Sequence, residues 1–519
     1  MVKLLKNHKA AGEDGIAAEL LKSAPPALIS RLCKLFQRIW SEERVPQDWQ
    51  DAILAPLFKK GDKTDCGNYR GISIIDVSAK VFMMILLRRI RDERDRRTRP
   101  NQAGFRPGRG CVDQIFALRR VIEHRHRYQQ ATHVCFIDFK AAFDSVNREK
   151  LWEVMRRDGV NGKLIRLLRA YYENTRARVR VYGELSDFFT IKTGVRQGCA
   201  MSPVLFNFVI DWILNVALED HPGVRIGPGA AITDLDYADD IAVLAESRSS
   251  LLSSVRRITE TAARAGMQVN VKKTKVMSTV ANANEPAASA VEIRGEELED
   301  VDHFKYLGSV IMSNGQSKRE VEARIRAART AFSQFSKVLW RRKEIALPVK
   351  VKVYRSTVRA ILLYSCEALC VRKEDLRKLE VFDHSCLRWI TRTRWHHMKT
   401  NDTIRSECNL ERISTVLLER RLQWVGHVLR RPATHILSQA VHTEPLRGWK
   451  QRRGGQMKTW LDTVKADVTG MSGPAVYGVK KWNTCWRKLV ADVAQDRQTW
   501  KNSTRDVIEQ AKSETMGAG

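Results

Sequence analysis

Three carboxylates stand in this chain where a charge is out of place. Tyr237-Ala-Asp-Asp240 lies between the apolar stretches Ala231–Tyr237 and Ile241–Leu244 and reads as the tip of a β-hairpin. Adjacent carboxylates at such a tip repel each other unless a cation bridges them; the bland alternative is an ordinary Asp-rich turn. Asp138 ends a second apolar strand, Val134-Cys-Phe-Ile-Asp-Phe139, inside the longer segment Phe136-Ile-Asp-Phe-Lys-Ala-Ala-Phe-Asp144. If that strand pairs beside the hairpin, Asp138 faces Asp239. Hard oxygen ligands with room for water and phosphate suit Mg²⁺, with Mn²⁺ as the alternative ion. Two such ions about 3.5–4 Å apart activate a hydroxyl and stabilise a leaving phosphate group, so catalysis becomes mostly positioning and charge neutralisation at phosphorus. A third segment, Gly194-Val-Arg-Gln-Gly-Cys-Ala-Met-Ser-Pro203, precedes the apolar helix Val204–Leu214. Its glycines let backbone come close to a ligand, and Ser202-Pro203 opens a helix with proline in the first turn.

Elements able to position these groups are legible around them. Leu28, Leu32, Leu35, Phe36 and Ile39 recur at helical spacing after Pro25-Pro26, within a first hundred residues that read as short helices and loops. A helix spans about 78–97, and the glycine-rich stretch Asn101–Gly110 must be a loop. After Gly308 the pattern turns helical, with Val321, Ile325, Ala328, Phe332, Phe335 and Leu339 near one face. Helical periodicity continues to Arg430 and then weakens through the basic run Arg447-Gly-Trp-Lys-Gln-Arg-Arg453. Ser278–Ala290 reads as a low-complexity surface loop. Strands and helices first, then mostly helices, predict an α+β core with a helical C-terminal module.

Bulk charge narrows the partner. The 519 residues hold 90 Lys and Arg against 59 Asp and Glu, a formal net charge of +31. An excess of that size implies a polyanion, and the basic stretches lack the broad aromatic faces of membrane anchors, which favours nucleic acid. No apolar run approaches the roughly 18 residues of a membrane span, and the N-terminus does not read as a signal peptide. A nuclear or cytoplasmic protein without membrane contact is expected, and ten scattered cysteines do not read as a disulfide framework.

The three segments, in this order, resemble motifs A, B and C of reverse transcriptases, and the wider chain looks like the polymerase of a non-LTR, LINE-type retrotransposon of the RTE-like group. Lys9-Ala-Ala-Gly-Glu-Asp-Gly-Ile16 resembles the motif that precedes the fingers, with Ala11 where proline is usual. Asn68-Tyr-Arg-Gly-Ile-Ser73 with Lys80, and Gln102-Ala-Gly-Phe-Arg-Pro-Gly-Arg109, resemble the two fingers motifs. Gly266, Asn270 and Lys273-Thr-Lys275 resemble motif D; Phe304-Lys-Tyr-Leu-Gly308 resembles the primer-grip hairpin; Arg421-Leu-Gln-Trp-Val-Gly-His-Val-Leu429 resembles the segment after the thumb.

The resemblance implies a right-hand polymerase: fingers and N-terminal motif over 1–130, palm over 131–315 with 145–190 returning to the fingers, helical thumb over 316–430, and a basic C-terminal tail over 431–519. It implies RNA-directed DNA synthesis with template RNA, a DNA primer or target DNA, and dNTPs as partners. Asp138 and Asp239 would hold the metals with Asp240 assisting, and Lys80 and Arg106 would face the incoming triphosphate. Gln197 and Gly198 would lie beneath the nascent base pair. Phe143 would be the steric gate against a 2′-hydroxyl, favouring DNA over RNA synthesis, and Lys275 (or Lys273) a general acid for pyrophosphate. Because the chain begins almost at the first of these motifs, no nicking endonuclease is expected. The competing readings are a catalytically inactive nucleic-acid-binding remnant and an RNA-dependent RNA polymerase.

Two weaker constellations are expected to be structural. Cys366, Cys370, His384, Cys386, His396, His397 and Cys408 offer zinc-ligand types without knuckle spacing, and read better as buried thiols and surface imidazoles. Among Trp389, Trp395, Trp424, Trp449 and Trp460, which recur between arginines, Trp389 and Trp424 read as helix core, and Arg447–Arg453 as the better nucleic-acid contact.

Overall fold

A computed structural model of the chain describes residues 1–279, 290–451, 453–454 and 457–517. Most of the loop expected over Ser278–Ala290, and Arg452 of the basic run, lie outside the described residues. The mixed α+β class expected from the sequence is the one observed.

The central sheet has five strands in the order Glu299–Asp300, Lys275–Ser278, His133–Ile137, Asp240–Ala245, Asp234–Tyr237. His133–Ile137 is buried along its whole length and runs antiparallel to both neighbours, with Ile137 opposite Ile241 and Phe136 opposite Lys275. Successive side chains alternate between two faces. Cys135, Ile137, Ile241, Val243, Ala245 and Val276 enter one core with the helices Ser202–Ala217 and Arg248–Arg264, through residues such as Phe206, Val209, Val255 and Ile258. Val134, Phe136, Leu235, Ala242, Leu244 and Met277 enter a second core with the helix Cys111–Arg127. On that second face Phe304 of the hairpin His303–Met312 stacks on Phe136 at 4.2 Å, and the Tyr306 hydroxyl donates to the Leu235 carbonyl at 2.8 Å.

The first hundred residues differ from expectation. Asp51–Phe58 is a strand, antiparallel to Tyr69–Ile74 and parallel to Arg176–Val181. Pro56 disguises it, since proline has no N–H for a ladder. Pairing with Arg176–Val181 extends only over Asp51–Leu54, so on that side no ladder bond is asked of Pro56.

Residues 318–417 build a third core of helices, including Lys318–Gln334, Leu347–Ser356 and Lys373–Ile390. The described residues of the basic C-terminal extension from 431 onward are helical and pack against the rest of the chain. Trp460, Val464, Trp482, Val490 and Trp500 lie in the second core with Phe116, Val121 and Ile122. The Trp460 ring meets Phe116 edge-on at 4.7 Å, and its indole N–H donates to the Glu367 carbonyl at 2.8 Å. Weak periodicity hid this packing because the helices Trp460–Ser472, Val479–Gln495 and Arg497–Gly517 bury narrow stripes that include Trp460, Trp482 and Trp500. Among the described residues no helix is long and apolar enough to cross a membrane.

Truncating Trp460, 2% exposed, should therefore destabilise the fold near the central sheet. Trp460→Ala is expected to cost about 3–5 kcal/mol in denaturant unfolding followed through the tryptophan signal. An unchanged midpoint would mean that these helices are an appendage.

Candidate active site

The antiparallel pairing of His133–Ile137 with Asp240–Ala245 does the assembling. One step beyond the Ile137–Ile241 pair, Asp138 comes level with Asp240, beside the two-residue loop Ala238-Asp239. Ala238 takes φ 59°, the left-handed region that glycine or asparagine usually fills in such a turn. Something must hold it there. Gln102 Oε1 accepts the Ala238 N–H at 2.8 Å and the Gly104 N–H at 2.7 Å, clamping the loop Asn101–Gly110 beneath the turn. A Cβ on Gly104 would stand 2.3 Å from the Ala238 nitrogen, so only glycine allows this approach.

Behind the turn, Asp234 and Asp236 point to the same face of the edge strand and are both fully buried. The Arg99 guanidinium grips Asp234 with two hydrogen bonds of 2.7 and 2.8 Å and reaches Asp236 at 2.9 Å. Burial pushes the Asp234 carboxyl upward, but the charge and hydrogen bonds of Arg99 outweigh it and hold Asp234 well below the usual range. Burial and the Asp234 charge push Asp236 the other way, well above the usual carboxylate range.

Asp138 is fixed through its backbone: its carbonyl accepts the Asn270 N–H at 2.8 Å, and its own N–H donates to Thr274 Oγ1 at 3.3 Å. Its buried Oδ2 has no hydrogen bond, and the Lys273 ammonium lies 3.3 Å away. Withdrawal from water, reinforced by the Asp138 charge, raises the Asp239 carboxyl. The same effects, with Asp239 adding to them, push Asp240 up to about 6. Among the described residues no three His, Cys, Asp or Glu side chains form a ready metal cage. Three mutually repelling carboxylates, one with a buried oxygen that lacks a hydrogen bond, nonetheless fit hard divalent cations.

The remaining expected residues divide. Phe143 is half-buried, stacked on Phe206 at 4.4 Å and 10° and edge-on to Phe105 at 6.2 Å. Gln197 donates to both Asp144 carboxylate oxygens at 3.0 and 2.9 Å, and its carbonyl accepts the Ser73 N–H at 2.7 Å. Gly198 has φ 121°, and a Cβ there would lie 2.4 Å from the Ser73 carbonyl, so the glycine-rich segment is cinched against the strand Tyr69–Ile74. Three of the expected residues have surroundings that the sequence did not indicate. Lys275 is ion-paired to Glu299 at 2.5 Å, because its neighbour Lys273, not Lys275, is the lysine beside Asp138. Arg106 spends its donors on the Asp95 carboxylate and on the Asp95, Arg99 and Gln102 carbonyls, which ties it into the loop rather than leaving it to face a triphosphate. Lys80 is half-buried in the first turn of the helix Val77–Arg97, and the cation whose charge reaches Asp239 from the strand Tyr69–Ile74 is Arg70. Arg70 lies inside a motif already quoted from the sequence, but only the strand register brings it there. Arg99 and its two acids carried no sequence signal, since nothing along the chain relates residue 99 to 234.

The weaker constellations separate as well. Cys366, Cys386 and Cys408 lie in the third core, and the Cys370 thiol donates to the Lys458 carbonyl at 3.2 Å. Trp424 packs edge-on to Phe116 at 5.7 Å, but Trp389, expected as core, is 47% exposed.

A pH dependence follows from the raised carboxylates. Asp240 prefers its protonated form in the fold, so its contribution to stability is full below the ordinary carboxylate range near 4 and is lost as pH rises through about 6. A divalent cation needs the ionised form and acts in the opposite direction. The melting temperature of metal-free protein should fall from pH 5 to pH 8 more than that of Asp240→Asn, and Mg²⁺ should raise it more at pH 8 than at pH 5. Equal pH profiles in wild type and variant would remove Asp240 from the site.

The chain is similar to known proteins. Residues 58–311 match the family described as reverse transcriptase (RNA-dependent DNA polymerase). The chain is 24% identical to a probable RNA-directed DNA polymerase from transposon BS of Drosophila melanogaster, over 87% of this chain and 50% of that one. It is 26% identical to the RNA-directed DNA polymerase from mobile element jockey of Drosophila funebris, over 79% of this chain and 45% of that one. The chain thus spans about half the length of these curated relatives. A solved apo telomerase from Candida tropicalis aligns at TM-score 0.37 and 11% identity over 80% of this chain and 73% of that one, a likeness too slight to argue from. Residues 58–311 thus match the reverse transcriptase family, and the chain is similar to RNA-directed DNA polymerases of mobile elements.

Proposed function

We propose that this chain is an RNA-directed DNA polymerase, extending a DNA primer with dNTPs on an RNA template. One observation carries the reading: Asp138, at the end of a buried central strand, lies level with the Asp239-Asp240 turn of its neighbour, with Lys273 beside it. In this reading the sheet and its two covering helices are the palm, over 131–144 and 191–315. Residues 1–130 and 145–190 form the fingers and 316–430 the thumb, while 431–517 brace the palm through the second core.

Asp138 and Asp239 would hold divalent cations, Mg²⁺ by the hardness of their oxygens, with Asp240 assisting. Such ions, when bound, supply charge neutralisation at the reacting phosphate and lower the cost of deprotonating a primer 3′-hydroxyl. The chain's own groups do the positioning. Lys273 balances charge at Asp138 and is better placed than Lys275 to meet pyrophosphate. Arg70 adds a cation from the finger strand. Gly198 and Gln197, drawn against Ser73, give a nascent base pair a floor without side-chain bulk. Phe143, braced by Phe206, is a rigid ring where a ribose 2′-hydroxyl would have to fit.

Primer extension by the purified chain on an RNA template with Mg²⁺ and dNTPs tests the reading. Asp239→Asn should lower the rate at least about a thousandfold, the scale of several kcal/mol of lost transition-state stabilisation, while RNA binding stays near wild type. Extension that survives in Asp239→Asn would falsify the metal assignment. Phe143→Val should raise the use of rNTPs relative to dNTPs about tenfold or more; an unaltered ratio would return Phe143 to a plain core role.

A further inference from the structure

The helices Lys318–Gln334 and Lys373–Ile390 leave a cavity of about 800 Å³ between them, floored by Phe332, Val381 and Phe382. A second cavity of about 460 Å³ adjoins it, and the two share Ser385 and Trp389. Arg341, Lys343, Arg388, Arg392 and Arg394 line the second cavity, and no carboxylate does. Among the described residues none of these five has an ion-pair partner, although Arg388 donates to Asn401 and Arg392 to the Arg341 carbonyl. Five uncompensated cations around one hollow repel one another, and a polyanion relieves that repulsion.

The aromatic content says which polyanion. Trp389, between the two cavities, is 47% exposed, with the Arg341 guanidinium 5.6 Å from its ring centroid. Trp395, next to Arg394, is 85% exposed. Leaving two indoles in water has a cost that burial in the third core would have avoided. Exposed rings set among cations suit bases whose faces are free, with phosphates held at the rim. Bases in a duplex are already stacked on each other and offer a ring no face. We infer that this groove is a nucleic-acid site for an unpaired strand, separate from the carboxylate site; its choice of nucleic acid as partner rests on the polymerase reading.

The test uses the full chain and a labelled, unstructured oligouridylate followed by fluorescence anisotropy. Trp389→Ala should weaken binding about tenfold, the loss of roughly one stacked base, whereas Trp389→Phe should keep most of the affinity. Arg341→Gln combined with Lys343→Gln should reduce the slope of log Kd against log salt by about 1.4, two phosphates of a single strand. Binding of a fully paired oligonucleotide, and extension of an annealed primer, should stay at wild-type levels in every variant. Wild-type affinity and slope in the Trp389→Ala and paired-Gln variants would overturn the groove, as would an equal loss for single strand and duplex. If Trp389→Ala fails to fold, the two exposed cations decide alone. A wild-type chain that binds oligouridylate but extends no primer would count against the polymerase reading, and the same variants would still decide the groove.

Discussion

Like charges on neighbouring strands set the terms for this structure. Pairing His133–Ile137 with Asp240–Ala245 brings Asp138 to Asp239 and Asp240, and pairing the latter strand with Asp234–Tyr237 sets two more acids behind them. A sheet edge with five carboxylates nearby cannot be left uncompensated. The rear pair is balanced from within: the planar fork of Arg99 matches Asp234 and reaches Asp236, whose carboxyl is pushed well above the usual range by burial and the Asp234 charge. The front group has the partial compensation of Lys273 beside Asp138 and of the Arg70 charge that reaches Asp239. A fixed cation thus satisfies the strand that builds the turn, while the turn itself is where we propose that divalent cations bind.

Much of the remaining fold keeps that edge in place. Ala238 sits in a strained conformation that Gln102 stabilises from below, and Gly104 is what lets the loop come close enough to do so. The loop leads into the helix Cys111–Arg127, which is covered in turn by Trp460 from the far end of the chain, with Trp482 and Trp500 in the same core. On the opposite face, the helices Ser202–Ala217 and Arg248–Arg264 fill the first core and hold Phe206 under Phe143. Sites built on packed strands and helices hold their geometry more closely than sites on loops, and here both faces of the sheet are packed up to the carboxylate edge.

The sequence displayed the carboxylates because each interrupts an apolar run, and a charge at the end of a buried strand needs a reason. It displayed the glycine-rich segment because Gly198 serves a close approach that no other residue permits. It did not display what depends on register. Lys273 and Lys275 are two residues apart, and only the pairing of Lys275 with Phe136 and its contact with Glu299 separate their roles. Arg106 looked available because its partner Asp95 lies in the preceding helix, where nothing marks it as a partner. Trp389 looked like core because its helix is amphipathic, and the ring falls at the boundary between the two faces. Pro56 concealed a strand that tolerates it only because parallel pairing stops at Leu54. The C-terminal helices were read as a tail because their buried stripes make sense only against a distant surface.

The central claim is that Asp138 and Asp239, a hundred residues apart in the chain, form one cation site. Titration of Mn²⁺ by electron paramagnetic resonance addresses it without reference to catalysis, using the wild type, Asp138→Asn, Asp239→Asn and the double variant. Carboxylates that share a site are strongly non-additive, so each single substitution should remove nearly as much high-affinity binding as both together. Two losses that simply add would mean that the carboxylates hold separate ions, and the account of the shared edge would fail.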